Sequence, residues 1–220
     1  MCIRDRSCIA AKRFLIAESI YEEFESRFVA AMDNLKVGDP TREDTQIGPL
    51  ATAAQLDEVE AQVIAAIHAG ARLLTGGERM IGTGNYYAPT VLAGLPRTAP
   101  VYREEIFGPV AMLFRFTDID EAIAIANDTP YGLAASVWTA SRDEQRRFAS
   151  ALQCGAVFFN AQVLSLIHIS STLQNRLNQQ KTKEKKLPRN WHSSYAPSCK
   201  IEVVEKTRET PAARRGFSCL

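Results

Sequence analysis

Several signals that would settle the chemistry of this 220-residue chain at a glance are missing from it. No two cysteines are spaced C-x-x-C. The five cysteines, Cys2, Cys8, Cys154, Cys199 and Cys219, are odd in number. That pattern fits neither a disulfide scaffold nor a zinc site, so no metal is expected. Unpaired cysteines point to a reducing compartment, and a cytoplasmic location is the simplest expectation. No apolar run reaches 18 residues, which argues against a transmembrane helix. Met1 to Arg6 lacks the apolar core of a secretory signal. The Gly82 and Gly84 stretch matches neither a Walker A loop nor G-x-G-x-x-G, so it reads as a turn rather than a phosphate cradle. His68 has no other His or Cys close in sequence, and stabilisation of a helix end suits it better than ligation.

What is present is a chain able to bury a core. Hydrophobic residues make up 46% of it, enough for one or two domains. The net charge of +1 hides an uneven split. Residues 1–162 carry 15 Lys and Arg against 21 Asp and Glu, whereas residues 163–220 carry 11 against 4. Such asymmetry marks segments of different role or origin.

Strand and helix signals alternate along the first part. Phe14–Ala17 reads as a short buried strand. Ile20, Phe24, Phe28, Met32 and Leu35 recur at helical spacing, which predicts a helix over Ser19–Lys36, stopped by Gly38-Asp39-Pro40. Thr52 and Gln55 have capping-box spacing ahead of the stripe Leu56, Val59, Val63 and Ile67, and Gly70 is a natural left-handed stop. Strands are predicted at Arg72–Thr75, from Pro89, at Met112–Phe116, at Ala134–Trp138 and at Ala156–Phe159. A helix with Ile119, Ala122, Ile123 and Ala126 inward, and another capped by Ser141 and stopped by Gly155, separate the later ones. This order argues an α/β fold, a layered and mostly parallel sheet with flanking helices.

After Val163 the pattern changes. Leu173–Lys186 is rich in Gln, Asn and Lys. Ile201–Val204 could form a strand, but has no partner nearby in sequence. The tail over 164–220 is expected to be disordered. A basic tail could bind nucleic acid electrostatically. Trp191 and Tyr195 show no stacking arrangement, so a solvated extension without a nucleic-acid partner is the preferred reading.

The stretch Ser7-Cys8-Ile9-Ala10-Ala11-Lys12-Arg13-Phe14 carries the one cysteine in a chemically suggestive setting. A thiol is a strong nucleophile only as thiolate, and nearby cations such as Lys12 and Arg13 favour that form. A buried structural thiol is the alternative on these residues alone.

Several ordered motifs narrow the choice. Around Cys8 the sequence resembles the nucleophile segment of aldehyde dehydrogenases, most of all the succinate-semialdehyde branch. Leu35–Pro40, Ile47–Leu50, Gly76-Gly77 and Pro89–Leu92 fit the family's following segments. Glu104-Glu105-Ile106-Phe107-Gly108-Pro109-Val110 resembles its most specific motif, and Ala126–Thr129, Tyr131–Ala135 and Gly155–Asn160 complete the likeness over residues 7–163. The resemblance implies that Cys8 attacks an aldehyde carbon to give a thiohemiacetal. Hydride then passes to NAD or NADP, and water hydrolyses the resulting thioester. It implies that Glu105 holds the ribose on the nicotinamide side, that Phe107 packs near it, and that Leu133 and Asn160 lie near the site. It implies a small aldehyde as substrate, no membrane partner and a homo-oligomeric family.

The departures are equally specific. Arg4, Asp5 and Arg6 stand where the family has an Asn-x-Gly-Gln-type run. The family's dinucleotide domain, general-base glutamate and oxyanion asparagine belong upstream of Cys8 and are not in this sequence. Met1–Arg6, a leader unlike the family, and Leu164–Ile169 read as junction text, because the pattern stops abruptly at both. Three regions are therefore expected: residues 1–6, a partial catalytic domain over 7–163, and the tail 164–220. The chain alone is expected to have little activity. An aldehyde dehydrogenase for another small aldehyde, or a non-catalytic partner-binding protein using the tail, are the alternatives. Neither Arg13 nor Arg103 can be assigned to a substrate carboxylate from sequence.

Overall fold

The computed structural model describes residues 10–163 and 200–204. The expected leader, Cys8 itself, the Leu173–Lys186 run, Trp191 and Tyr195 lie outside the described residues. The strands are β1 (Ala11–Ala17), β2 (Arg72–Thr75), β3 (Thr90–Ala93), β4 (Val110–Phe116), β5 (Ala134–Trp138), β6 (Val157–Phe159) and β7 (Lys200–Val204). The helices are α1 (Tyr21–Asp33), α2 (Ala53–His68), α3 (Ile119–Asn127) and α4 (Arg142–Ala151).

One seven-stranded sheet runs β2-β3-β4-β1-β7-β5-β6. Every neighbouring pair is parallel except β2 with β3. Such a sheet needs cover on both faces, and its strands become apolar throughout. β1 shows this: all seven of its residues are buried. Phe14 and Ile16 face one layer with Tyr21, Phe28 and Met32 of α1. Leu15 and Ala17 face the other, where Leu56, Val59 and Val63 of α2, Ile125 of α3 and Phe148 of α4 pack.

The helix ends follow their residues. The Thr52 hydroxyl accepts from the Gln55 amide at 3.1 Å, and Asp118 caps α3 by accepting from the Glu121 amide at 2.9 Å. Each such cap satisfies an amide that the helix itself leaves unpaired. Gly70 ends the turn after α2 at φ 108°, a conformation that costs glycine no Cβ clash.

Three expectations are corrected. The first helix is shorter than Ser19–Lys36: a 3-10 turn at Glu18–Ile20 precedes it. It ends at Asn34, whose side-chain amide bonds the Ala30 carbonyl at 2.7 Å. α4 stops at Leu152, which turns extended, and not at Gly155. Gly155 has a different use: its amide bonds the Gly132 carbonyl at 2.8 Å, and a Cβ there would lie 2.9 Å from the Leu133 carbonyl oxygen. Finally, Ile201–Val204 is not a lone strand. As part of β7 it pairs with β1 on one side and β5 on the other. Its partners lie about 190 and 65 residues back in the chain, so local sequence could not reveal them.

Candidate functional site

In a parallel sheet the segments that enter neighbouring strands share one end. Ala10 leads into β1, Pro109 into β4, and Leu133 into β5. The Glu104–Pro109 segment and the approach to β1 are thus adjacent, because β1 and β4 pair directly in register. Leu133 sits at the same end, two strand spacings from β1, or about 10 Å. Asn160 does not. It follows the last residue of β6, at the opposite end of the sheet. There it holds Thr139 by two bonds, Nδ2 to the Thr139 carbonyl at 2.9 Å and the Thr139 amide to Oδ1 at 3.0 Å. The expectation that Asn160 lies near the site is corrected by that strand polarity.

The Glu104–Pro109 segment is tightly held. Ile106 is fully buried and anchors it, while Glu105 and Phe107 are half-buried. Its carbonyl oxygens take bonds from three side chains. Gln62 Nε2 reaches the Glu105 carbonyl at 3.4 Å and the Glu104 carboxylate at 3.0 Å. Gln55 Nε2 donates to the Phe107 carbonyl at 2.7 Å. Lys12 Nζ donates to the Gly108 carbonyl at 2.8 Å in a buried setting and stands 5.6 Å from the Phe107 ring centre. With its backbone fixed by these bonds, the segment presents the Glu105 carboxylate and Phe107 ring from a defined frame.

Glycine at 108 has a packing reason. A Cβ there would come within 2.8 Å of Val59 Cγ2, and a β-branched side chain has little rotamer freedom to yield. α2 therefore lies close against the motif and can bring Gln55 and Gln62 to it.

From sequence, Lys12 and Arg13 are expected as cations beside the Cys8 thiol. Both are buried, and their described hydrogen bonds go to backbone carbonyls. Arg13 donates to the Ile125 carbonyl at 3.1 Å and the Asp128 carbonyl at 3.4 Å. Its guanidinium carbon lies 4.7 Å from the Tyr102 ring centre and 5.0 Å from that of Phe114. That is the cation expected at a helix C-terminus, here the end of α3. Arg103 pairs with Asp128 at 2.6 Å. Both arginines left unassigned by the sequence thus serve the α3 terminus.

The described cysteine at this end of the sheet, Cys154, is chemically quiet. Burial pushes its thiol up to about 11, although its hydrogen bonds with the Ala156 and Ala135 backbone oppose the shift. It is almost wholly protonated at neutral pH.

Sequence reasoning missed the clamp. In sequence Gln55 shows only as a capping residue, and nothing marks Gln62 or Lys12 as a partner of the Glu104–Pro109 segment. Their targets lie 43 to 96 residues away, and no local pattern marks such pairs. Among the described residues no group of three or more His, Cys, Asp or Glu could hold a metal ion, and no helix is long and apolar enough to cross a membrane.

The sequence model of the aldehyde dehydrogenase family matches residues 3–170. The chain belongs to the aldehyde dehydrogenase family. It is 48% identical over 160 residues to succinate-semialdehyde dehydrogenase [NADP(+)] 1 of Mycobacterium ulcerans, covering 73% of this chain and 35% of that relative. Among solved structures, it is similar to aldehyde dehydrogenase 21 of Physcomitrella patens in complex with the product succinate. There the TM-score is 0.69 and identity 35%, over 72% of this chain and 32% of that one. Lactaldehyde dehydrogenase of Escherichia coli superposes with a TM-score of 0.71 at 34% identity, over 74% and 35% of the two chains. This family member therefore spans about a third of the length of the curated relatives it matches. The layered parallel sheet is the family's fold.

Proposed function

We propose that this chain is the catalytic-domain portion of an NAD- or NADP-dependent aldehyde dehydrogenase acting on succinate semialdehyde. Cys8 is its nucleophile, and Glu105 and Phe107 are cofactor-binding residues. The observation that carries the reading is the contact of Lys12 with Gly108 and Phe107. It ties the strand that follows Cys8 to the Glu105 motif. Lys12 lies four positions after Cys8, so the chain between them spans at most about 14 Å. The thiol is therefore within chain reach of that motif.

The residues fit a dinucleotide's ribose and nicotinamide. A half-buried carboxylate accepts hydrogen bonds from vicinal hydroxyls, and a half-buried aromatic ring offers a flat apolar face. Bound there, the oxidised nicotinamide supplies a hydride acceptor. The chain's own part is nucleophilic. The Cys8 thiolate adds to the aldehyde carbon and the carbonyl oxygen becomes an oxyanion, toward which the Cys8 amide N–H can donate. Loss of hydride from that carbon leaves a Cys8 thioester. Water then releases the carboxylic acid and regenerates the thiol. On this reading the partial catalytic domain runs over 7–163, although residues 200–204 of the tail expected to be disordered pair into the same sheet as β7.

A hybrid enzyme tests this reading. Residues 7–163 replace the corresponding segment of the Mycobacterium ulcerans relative, which supplies the rest of its own length. The hybrid should oxidise succinate semialdehyde with a nicotinamide cofactor, and Cys8→Ser should abolish that turnover. A folded hybrid that binds cofactor but turns over equally well with Cys8→Ser would rule Cys8 out.

A further inference from the structure

Lysine is rarely buried, because taking its ammonium out of water is costly and an apolar side chain of the same length would fill the space without that cost. Lys12 is nevertheless only 2% exposed. It stands on β1, all seven residues of which are buried, and β1 pairs with β4 without a shift in register. The side chain is thus carried by a rigid strand, the kind of support that places a group accurately. What it reaches is the turn that leads into β4.

That turn puts Phe107 at its apex. The Gly108 amide donates to the Ile106 carbonyl at 3.0 Å, which closes a three-residue turn with Phe107 as the central residue. Both feet of the turn are fixed. Ile106 is fully buried, and the Pro109 carbonyl accepts from the Thr90 amide at 2.8 Å. Phe107 itself is half-buried, and a half-buried ring keeps a choice of rotamer that backbone bonds do not remove. Gln55 and Gln62 bond backbone carbonyls of this segment. Lys12 does so too, at Gly108, and its Nζ also stands over the Phe107 ring, 5.6 Å from its centre. A cation at that distance is drawn to the ring's π face, the more so where water is excluded.

We infer that Lys12 is a positioning residue: it holds the Phe107 ring in the orientation in which that ring takes the flat nicotinamide of the cofactor. The inference rests on the reading of Glu105 and Phe107 proposed above, and adds a division of labour to it. Glu105 meets the ribose hydroxyls. Lys12 acts through Phe107, so its loss should be felt by the nicotinamide ring and not by the ribose.

The test uses the hybrid enzyme, built on a relative named for NADP(+). Two probes are titrated by calorimetry: NADP(+), and 2′-phospho-ADP-ribose, which keeps the ribose but lacks the nicotinamide. Lys12→Met should weaken NADP(+) binding about tenfold and leave 2′-phospho-ADP-ribose binding within about twofold. Phe107→Ala should do the same. Glu105→Gln should weaken both probes, because the ribose is in both. A Lys12→Met hybrid that loses both probes alike, as general loosening would make it, or that keeps its NADP(+) affinity, overturns the inference, while the other two variants leave the reading standing. If Phe107→Ala and Glu105→Gln change neither affinity, the reading falls and the inference with it. The full 220-residue chain supplies a measurement that needs no hybrid. With 4-fluorophenylalanine in place of phenylalanine, the fluorine resonance of position 107, assigned by its loss in Phe107→Leu, should lie away from its place in the urea-unfolded chain. Lys12→Met should move it toward that place. A resonance already there in the unsubstituted chain, or one that a folded Lys12→Met chain does not move, overturns the inference equally.

Discussion

The Lys12 ammonium donates to the Gly108 carbonyl oxygen at 2.8 Å, inside the protein and across 96 residues of sequence. It joins the strand after Cys8 to the segment that carries Glu105 and Phe107. A buried hydrogen bond from a charged donor is worth about 1.5–3 kcal/mol. Lys12→Met keeps the length of the side chain and removes the donor, leaving a buried carbonyl without that partner. Urea unfolding should show a midpoint lowered by about 1 M, with the slope unchanged. Lys12→Arg should not restore it, since a planar guanidinium does not fit a site shaped for a single ammonium.

Arg13 makes a different prediction because its cation serves a helix end and two aromatic rings. Arg13→Met removes two charged hydrogen bonds and two ring contacts from a residue only 1% exposed. The expected loss is about 3 kcal/mol. Amide exchange in the last turn of α3 should accelerate more than exchange in α2, which Arg13 does not bond. Equal acceleration in both helices would mean general destabilisation rather than loss of a cap.

Gly108 and Val59 should be coupled. A Cβ at 108 would stand 2.8 Å from Val59 Cγ2 and 3.1 Å from Cγ1, so Gly108→Ala should cost about 1–3 kcal/mol by overpacking. Val59→Ala opens the space at its own cavity cost. The double variant should be more stable than the two single effects predict when summed. A double-mutant cycle measures that difference, and additivity within error would place the strain elsewhere.

The legible parts of this chain were those written locally. The Thr52 cap, the α2 stripe and the Gly70 stop all depend on residues within one or two helical turns, and the structure shows each. Alternating apolar strands and amphipathic helices were enough for the fold class. Strand order was not, because pairing of β1 with β4 and β7 depends on contacts across about a hundred residues or more. That is why Ile201–Val204 reads as partnerless in sequence and why the place of Asn160, beyond the end of β6, is not legible there. In the candidate site, Glu105 and Phe107 stood out through their motif. The side chains that hold them did not: a glutamine on a helix gives no sign that a carbonyl 52 residues away needs its amide.

The 220-residue chain by itself should oxidise succinate semialdehyde poorly. On the proposed reading the resemblance implies a general base upstream of Cys8, and a positioned base contributes about 10²–10⁴-fold to a step such as thioester hydrolysis. Mixing purified chain, aldehyde and either NAD or NADP should give at most a trace of reduced cofactor at 340 nm. Steady turnover that persists through further purification would show that this sequence supplies its own base.

Thiol reactivity separates Cys8 from Cys154. Burial holds the Cys154 thiol up at about 11, so only about 10⁻⁴ of it is thiolate at pH 7. Its iodoacetamide labelling should be very slow there and rise about tenfold per pH unit toward 11. The same shift carries a stability consequence. A pKa above the unfolded value means that the folded chain holds the proton more tightly. The contribution is therefore complete below about pH 8.5 and is lost as pH rises through 11. Replacing Cys154 with Ala should flatten that alkaline loss in urea unfolding measured between pH 8 and 11. Peptide mapping by mass spectrometry after brief labelling at pH 7 should find Cys8 modified well ahead of Cys154. If Cys154 reacts as quickly, the activated-nucleophile reading of Cys8 loses its support, because a thiolate made ready for attack on a carbonyl must also outpace a buried thiol toward an alkyl iodide.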